Sequence, residues 1–198
     1  MAIVAGRPTL FLIAGPNGAG KSTFYETVLA PRIAAPFINA DIIQRDELRD
    51  PSPEASYRAA EIAEQRRRDH MAAGQSFVME TVFSHPSKLE LLQDARDAGY
   101  RIIVFQLALA SADLAVARVE ARAEEGGHPV PEDKIRQRFA RNTPLIRQAA
   151  LLADRAMVFD ASALNEQPVM LLELAQGQVA RRAGAVPDWF EGVYPGLE

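Results

Sequence analysis

The sequence predicts an α/β protein: an open parallel sheet of about five strands with helices on both faces. Two observations carry this. Short, continuous apolar runs end at glycine or at a polar residue, as strands buried on both faces do. Stretches with helix start and stop signals separate those runs, so strand and helix alternate along the chain.

The first run, Thr9-Leu10-Phe11-Leu12-Ile13-Ala14, stops at Gly15, and a helix is expected from Lys21 to about Leu29, before Pro31. Pro36-Phe37-Ile38-Asn39 reads as a second strand, after which Asn39 or Asp41 caps a short helix through Leu48. Pro53 to Ala73 reads as a long helix with Gly74 past its end. Ser76–Met79 is a third strand, Pro86 to Ala98 a helix closed by Gly99, and Arg101–Leu107 a fourth, β-branched strand. Ser111 with Asp113 opens a helix to Glu125, and Pro131-Glu132-Asp133 opens the next, which Pro144 should kink or split. Ala156–Phe159 is a fifth strand, and Gln167 to Ala175 a late helix. Residues 1–183 are read as a single domain, and the tail 184–198 as packed back on it through Trp189, Phe190 and Tyr194.

Composition bounds the function. The chain has 198 residues, 48% hydrophobic and 24% charged, which suits one globular domain with its own core. A net charge of -4 argues against a nucleic-acid partner, which usually meets a basic excess. With no cysteine, thiolate nucleophiles, disulfides and Cys-type zinc sites are excluded. Residues 1–8 do not read as a signal peptide and no apolar run is long enough to cross a bilayer, so the expectation is a soluble, cytoplasmic protein without a membrane partner. His70, His85 and His128 have no metal-ligand spacing with each other, and Arg66-Arg67-Arg68 reads as a solvated surface.

Gly15-Pro16-Asn17-Gly18-Ala19-Gly20-Lys21-Ser22 matches G-x-x-x-x-G-K-[ST] at every fixed position. The chemistry requires these types. Backbone N–H groups wrap phosphate oxygens only where side chains do not block the approach. Lys21 supplies a point charge at the β/γ-phosphates, the Ser22 hydroxyl is placed to ligate magnesium, and the following helix aims its positive end at the same anion. ATP and Mg²⁺ are therefore the expected cofactors. Neither N-K-x-D nor D-x-x-G occurs, which argues against a GTPase, and no L-S-G-G-Q marks a transporter. Phe77-Val78-Met79-Glu80 ends in Glu where a Walker B strand ends in Asp, and Met157-Val158-Phe159-Asp160 is a later candidate.

Functional groups of a parallel sheet gather beyond the carboxyl ends of its strands, where Asp41 and Glu80 fall. A kinase needs a carboxylate to orient the acceptor hydroxyl and take its proton. Asp41 is chosen for that role, the alternative being a helix N-cap. Glu80 with Thr81 is placed to hold an acceptor hydroxyl or magnesium-bound water, the alternative being a solvated strand end. Arg118 and Arg122 lie four apart and share one helix face. Gly126-Gly127-His128-Pro129-Val130-Pro131 then joins them to Arg136, Arg138 and Arg141. Two arginine-loaded helices around a Gly-Pro connection, within about residues 111–143, read as a phosphotransferase lid that neutralises γ-phosphate charge and excludes water. The alternative is a pair of solvated faces.

Taken together, these features resemble the zeta toxin family of P-loop kinases, in its chromosomal, stand-alone type. The matching pieces are the Gly15–Ser22 loop followed by Thr23, Ile38-Asn39-Ala40-Asp41, Glu80-Thr81, Arg118-Val119-Glu120-Ala121-Arg122, and the Gly126–Pro131 run leading to Ile135 and Arg138. The resemblance spans about Leu10 to Ser162. It implies a magnesium- and ATP-dependent phosphotransferase acting on a small-molecule acceptor, first UDP-N-acetylglucosamine, and held in check by a small antitoxin protein. By position, Lys21 and Thr23 would belong to the nucleotide site, Asp41 would be the base, Glu80 would contact acceptor, and Arg122 and Arg138 would be the lid arginines, with Arg118 in reserve. Where the family often reads Glu-Thr-Thr, this chain reads Glu80-Thr81-Val82. Two other readings keep the loop and change the rest: a kinase of another metabolite or an antibiotic, and an ATP-binding regulatory module with little turnover.

Overall fold

The computed structural model describes residues 6–124 and 130–197. Five strands are parallel: β1 (Thr9–Ala14), β2 (Phe37–Ile38), β3 (Phe77–Thr81), β4 (Arg101–Ala108) and β5 (Arg155–Asp160). Two more, β6 (Val169–Ala175) and β7 (Gln178–Arg182), add antiparallel to one edge, giving a seven-stranded sheet in the order β2-β3-β1-β4-β5-β6-β7.

Side chains of the central strands alternate between two cores, as the period of a strand requires. Leu10, Leu12, Phe77, Met79, Ile102 and Val104 face one of them, Ile13, Val78, Phe105 and Leu107 the other. The first core is covered by α3 (Pro53–Ala72), α4 (Ser87–Asp97) and α6 (Glu132–Leu152), the second by α1 (residues 21–29) and α5 (Ala112–Glu124). Both faces of the sheet are therefore buried, which is why β1 and β4 read as continuous apolar runs rather than alternating ones.

Caps set the helix boundaries. Asn39 Oδ1 accepts from the backbone N–H groups of Asp41 (2.8 Å) and Ile42 (3.3 Å), opening α2 (residues 40–48). Ser52 Oγ accepts from Ala55 N at the start of α3, and Ser111 Oγ from Leu114 N at the start of α5. Gly74 and Gly99 follow α3 and α4 with positive φ.

One sequence expectation fails here. Residues 167–175 are not a helix. Met170-Leu171-Leu172-Glu173-Leu174-Ala175 is rich in helix formers, but the open edge of β5 takes it as a strand, and Leu171, Leu172 and Leu174 are buried there. Gln176 and Gly177, both at positive φ, then turn the chain back into β7, as a two-residue hairpin connection requires. Of the two outcomes expected at Pro144, a split is not seen: α6 runs from Glu132 to Leu152 as one helix, with Pro144 exposed and Ile135, Ile146, Ala149 and Ala150 buried along it. A last helix, α7 (Asp188–Val193), brings Phe190 and Tyr194 to full burial in the first core. No helix among the described residues is long and apolar enough to cross a membrane.

Candidate active site

The register of the sheet brings the functional segments together. Ile13 of β1 pairs with Glu80 of β3, and Ile38 of β2 pairs with Met79, so the loop after β1, the end of β3 and the start of α2 share one rim. Glycine is required at specific points of that loop. A Cβ on Gly15 would lie 2.2 Å from the Leu107 carbonyl oxygen, so the loop runs flush against the end of β4. Gly18 and Gly20 both sit at φ +77°, in the left-handed region where a side chain is strained. Gly20 is the residue from which α1 starts, with the Lys21 backbone just inside the helix. Asn17 Oδ1, in the same loop, is buried without a partner.

Glu80 is the centre of the polar cluster. Its Oε2 accepts from Ser22 Oγ (2.9 Å) and from Asn39 Nδ2 (3.0 Å), and its Oε1 lies 3.8 Å from Lys21 Nζ. Lys21 Nζ also donates to the Pro16 carbonyl at 3.0 Å. Burial pushes the Lys21 ammonium below its usual pKa, and Arg122 pushes the same way; the carboxylates of Glu80 and Asp41 oppose both. Lys21, Glu80, Asp41 and Arg122 therefore form one electrostatic unit drawn from α1, β3, α2 and α5.

Asp41 lies in the first turn of α2 and is exposed. The cap is Asn39, so the Asp41 carboxylate is not spent on capping. Thr81 Oγ1 accepts from Phe83 N (3.0 Å), which shapes the turn after β3 while leaving the hydroxyl hydrogen to donate elsewhere. Thr23 follows Ser22 on α1 and is exposed.

The arginines divide. Arg122 is at the Lys21 cluster. Arg118 is not: its guanidinium donates to the carbonyls of Gly18 (3.3 Å), Ala161 (2.8 Å), Ser162 (2.8 Å) and Ala163 (3.0 Å), tying the tip of the loop to the segment after β5. Arg136 pairs with Glu132 and with Asp113 across α5 and α6, and Arg141 donates to the Gln137 carbonyl. Arg138 is half-buried on α6 and is not among the charges acting on Lys21. Residues 126–129 of the Gly126–Pro131 connection lie outside the described residues.

Asp160, the later strand-end acid, accepts from Ser162 N and Ser162 Oγ and so folds its own loop. Arg67, read as surface, is buried and paired with Glu64 at 2.6 Å, while Arg66 pairs with Glu47. Among the described residues no group of three His, Cys, Asp or Glu side chains is placed to hold a metal by itself. The donor set suits a magnesium ion shared with a nucleotide: one hydroxyl, Ser22, beside one carboxylate, Glu80. The glycine cradle and the buried Lys21 suit its phosphates.

Sequence reasoning missed Asn39 as the tie between α2 and Glu80. Its N-cap position was visible, but nothing in the spacing announces the second bond from the same side chain.

A parallel sheet in the order β2-β3-β1-β4-β5, with a glycine loop and lysine between β1 and α1, defines a P-loop kinase. Within that class the chain belongs to the zeta toxin family, whose model matches residues 3–166. Among solved structures, the PezAT chromosomal toxin–antitoxin system of Streptococcus pneumoniae aligns at 18% identity over 79% of this chain and 69% of that one, with a TM-score of 0.61. The AvrRxo1-ORF1:ORF2 complex with ATP aligns at 16% identity and a TM-score of 0.69; 96% of this chain is covered, but it spans only 64% of that one. A sugar kinase from a Janibacter species aligns at 17% identity over 78% of this chain and 86% of that one, with a TM-score of 0.50. No curated protein matches the chain at a significant level.

Proposed function

We propose that this protein transfers the γ-phosphoryl group of ATP to a hydroxyl of a small polar acceptor, with UDP-N-acetylglucosamine the first candidate. The observation that carries this reading is the unit of Lys21, Glu80, Asp41 and Arg122 gathered beside a glycine cradle. ATP supplies the phosphoryl group and magnesium neutralises developing charge on it. Gly15, Pro16, Asn17, Gly18, Ala19, Gly20 and Thr23 enclose the nucleotide phosphates, Lys21 binds them, and Ser22 holds the metal. Glu80, with Thr81, holds the acceptor or the water shell of the metal. Asp41, exposed and free of a capping duty, takes the proton of the acceptor hydroxyl. Arg122, with Arg138 from α6, stabilises charge in the transition state, and α5 with the first part of α6 acts as the lid.

Val82 in place of a second threonine favours an acceptor that needs one hydroxyl contact fewer, so a relaxed choice of metabolite is the second reading. A small antitoxin partner is proposed on family membership, as in the PezAT system.

Incubation with Mg-ATP and UDP-N-acetylglucosamine should give a product heavier by one phosphoryl group in mass spectrometry. Phosphorylation of a different metabolite in a cell extract, with none of this one, would replace the acceptor and keep the kinase. Asp41→Asn should bind Mg-ATP like the parent and transfer nothing, because asparagine cannot take the proton. Transfer by this variant at the parental rate would return Asp41 to the role of an ordinary first-turn acid.

A further inference from the structure

A cavity of about 80 Å³ opens beside Pro16 at the carboxyl end of β4, walled by α6 and α7. That volume is well above the roughly 10–15 Å³ that admits one water. Its polar lining comes from Gln106, Asn142, Thr143 and Trp189, and none of the described charged residues lines it. Two donors on it are buried and unspent. Asn142 is 1% exposed and its Nδ2 has no partner, and Trp189 Nε1 has none either. Gln106 is already engaged, since its Oε1 accepts from Tyr194 OH. A buried donor without a partner is costly, so these two groups offer hydrogen bonds to an acceptor atom that enters the cavity, from water or from a ligand.

We infer that this cavity is the subsite for an uncharged, carbonyl-bearing part of the phosphoryl acceptor, an amide or a nucleobase carbonyl, with Asn142 and Trp189 as the donors. The inference rests on the kinase reading above and deepens it. The absence of charged lining excludes the acceptor's own phosphates from this pocket. Apolar walls from Ile146 and Val193 suit a flat or methyl-bearing group. Residues 161–163, the segment after β5 that Arg118 ties to the loop, do not line the cavity but hold its wall, since Ala161 N donates to the Ala108 carbonyl and Ser162 Oγ accepts from Ala110 N. Trp189 and Val193 lie beyond residue 166, outside the span of the family match, so this wall of the pocket is supplied by the chain's own C-terminal segment.

Trp189 is the sole tryptophan, and its fluorescence reports occupancy of the cavity directly. UDP-N-acetylglucosamine should change that emission saturably, and Mg-ADP alone should not. UDP-glucose, which lacks the acetamide, and N-acetylglucosamine 1-phosphate, which lacks the uracil, separate the two carbonyl sources: whichever retains the response carries the recognised group. Calorimetry on Trp189→Phe, which keeps the ring packing and loses the N–H, should show binding of the responsive ligand weakened about tenfold, the scale of one lost hydrogen bond, with Mg-ADP affinity unchanged. Asn142→Leu should weaken the same ligand, read by the same emission. If none of the three sugar compounds moves the emission, or if Mg-ADP moves it equally, the assignment is overturned. Failure of the kinase reading shows separately, as no phosphoryl transfer to any metabolite of a cell extract.

Discussion

Lys21 is held in a balance that burial alone would tip against its charge. Burial lowers the ammonium from its ordinary pKa, and the carboxylates of Glu80 and Asp41 oppose that shift. A lowered lysine loses its proton at a lower pH than a free one, so the phosphate binding proposed for Lys21 should be present below its folded pKa and lost as pH rises through it. That alkaline limit lies below the ordinary 10.5. Removing the Glu80 charge removes the largest opposing contribution, so Glu80→Gln should move the alkaline loss of Mg-ATP binding to still lower pH. Titration of binding against pH in both proteins checks this. A limb that stays in place, or that moves upward, would show that Glu80 does not set the charge of Lys21. Lys21→Ala should bind Mg-ATP too weakly to shift the melting midpoint, and a full shift would refute the cradle itself.

At the scale of the element, α5 presents two arginines one turn apart that do different things. Arg118 donates to four backbone carbonyls, whereas Arg122 acts on the Lys21 cluster. Arg122→Ala should lower turnover by about 10³-fold, the low end of the range for an arginine that meets the transferred phosphoryl. Arg118→Ala should act on the fold first. It strips partners from carbonyls of two segments at once, and unfolding free energy should fall by about 1–3 kcal/mol. Steady-state kinetics on both variants and urea unfolding on Arg118→Ala separate the roles, and an equal loss of turnover with no loss of stability at Arg118 would refute the division. Spacing placed both arginines on one face, but it could not say which would meet backbone, because that depends on where the segment after β5 arrives. The same limit explains β6. Its Met-Leu-Leu-Glu-Leu-Ala run satisfies helix propensity, and only the unpaired edge of β5 makes it a strand. By contrast, the five parallel strands and the glycine loop were legible because their signals are local: an apolar run, a turn residue, a cap. Glu80 was legible as a strand-end acid, but its bonds to Ser22 and Asn39 come from three segments that meet only in the folded sheet.

Over the whole molecule, the C-terminal segment belongs to the core. The family match ends at residue 166, and β6, β7 and α7 follow it; they extend the sheet and place Phe190 and Tyr194 against the first core at zero exposure. Tyr194 reaches through that core to Gln106, at the end of β4, which is itself 3% exposed. Burial pushes the Tyr194 phenol far above its ordinary value, which favours the protonated hydroxyl that donates to Gln106. Tyr194→Phe keeps the ring and leaves the Gln106 oxygen buried without a donor, an expected cost of about 1–3 kcal/mol. Phe190→Ala opens a cavity under the same helix, at about 3–5 kcal/mol. Urea unfolding followed by circular dichroism measures both. Because Gln106, Trp189 and Val193 all line the cavity beside Pro16, Tyr194→Phe should also weaken acceptor binding more than Mg-ATP binding. A C-terminal segment that merely rests on the surface would give changes under about 0.5 kcal/mol for both substitutions, the size of an ordinary surface replacement, and no change in acceptor affinity.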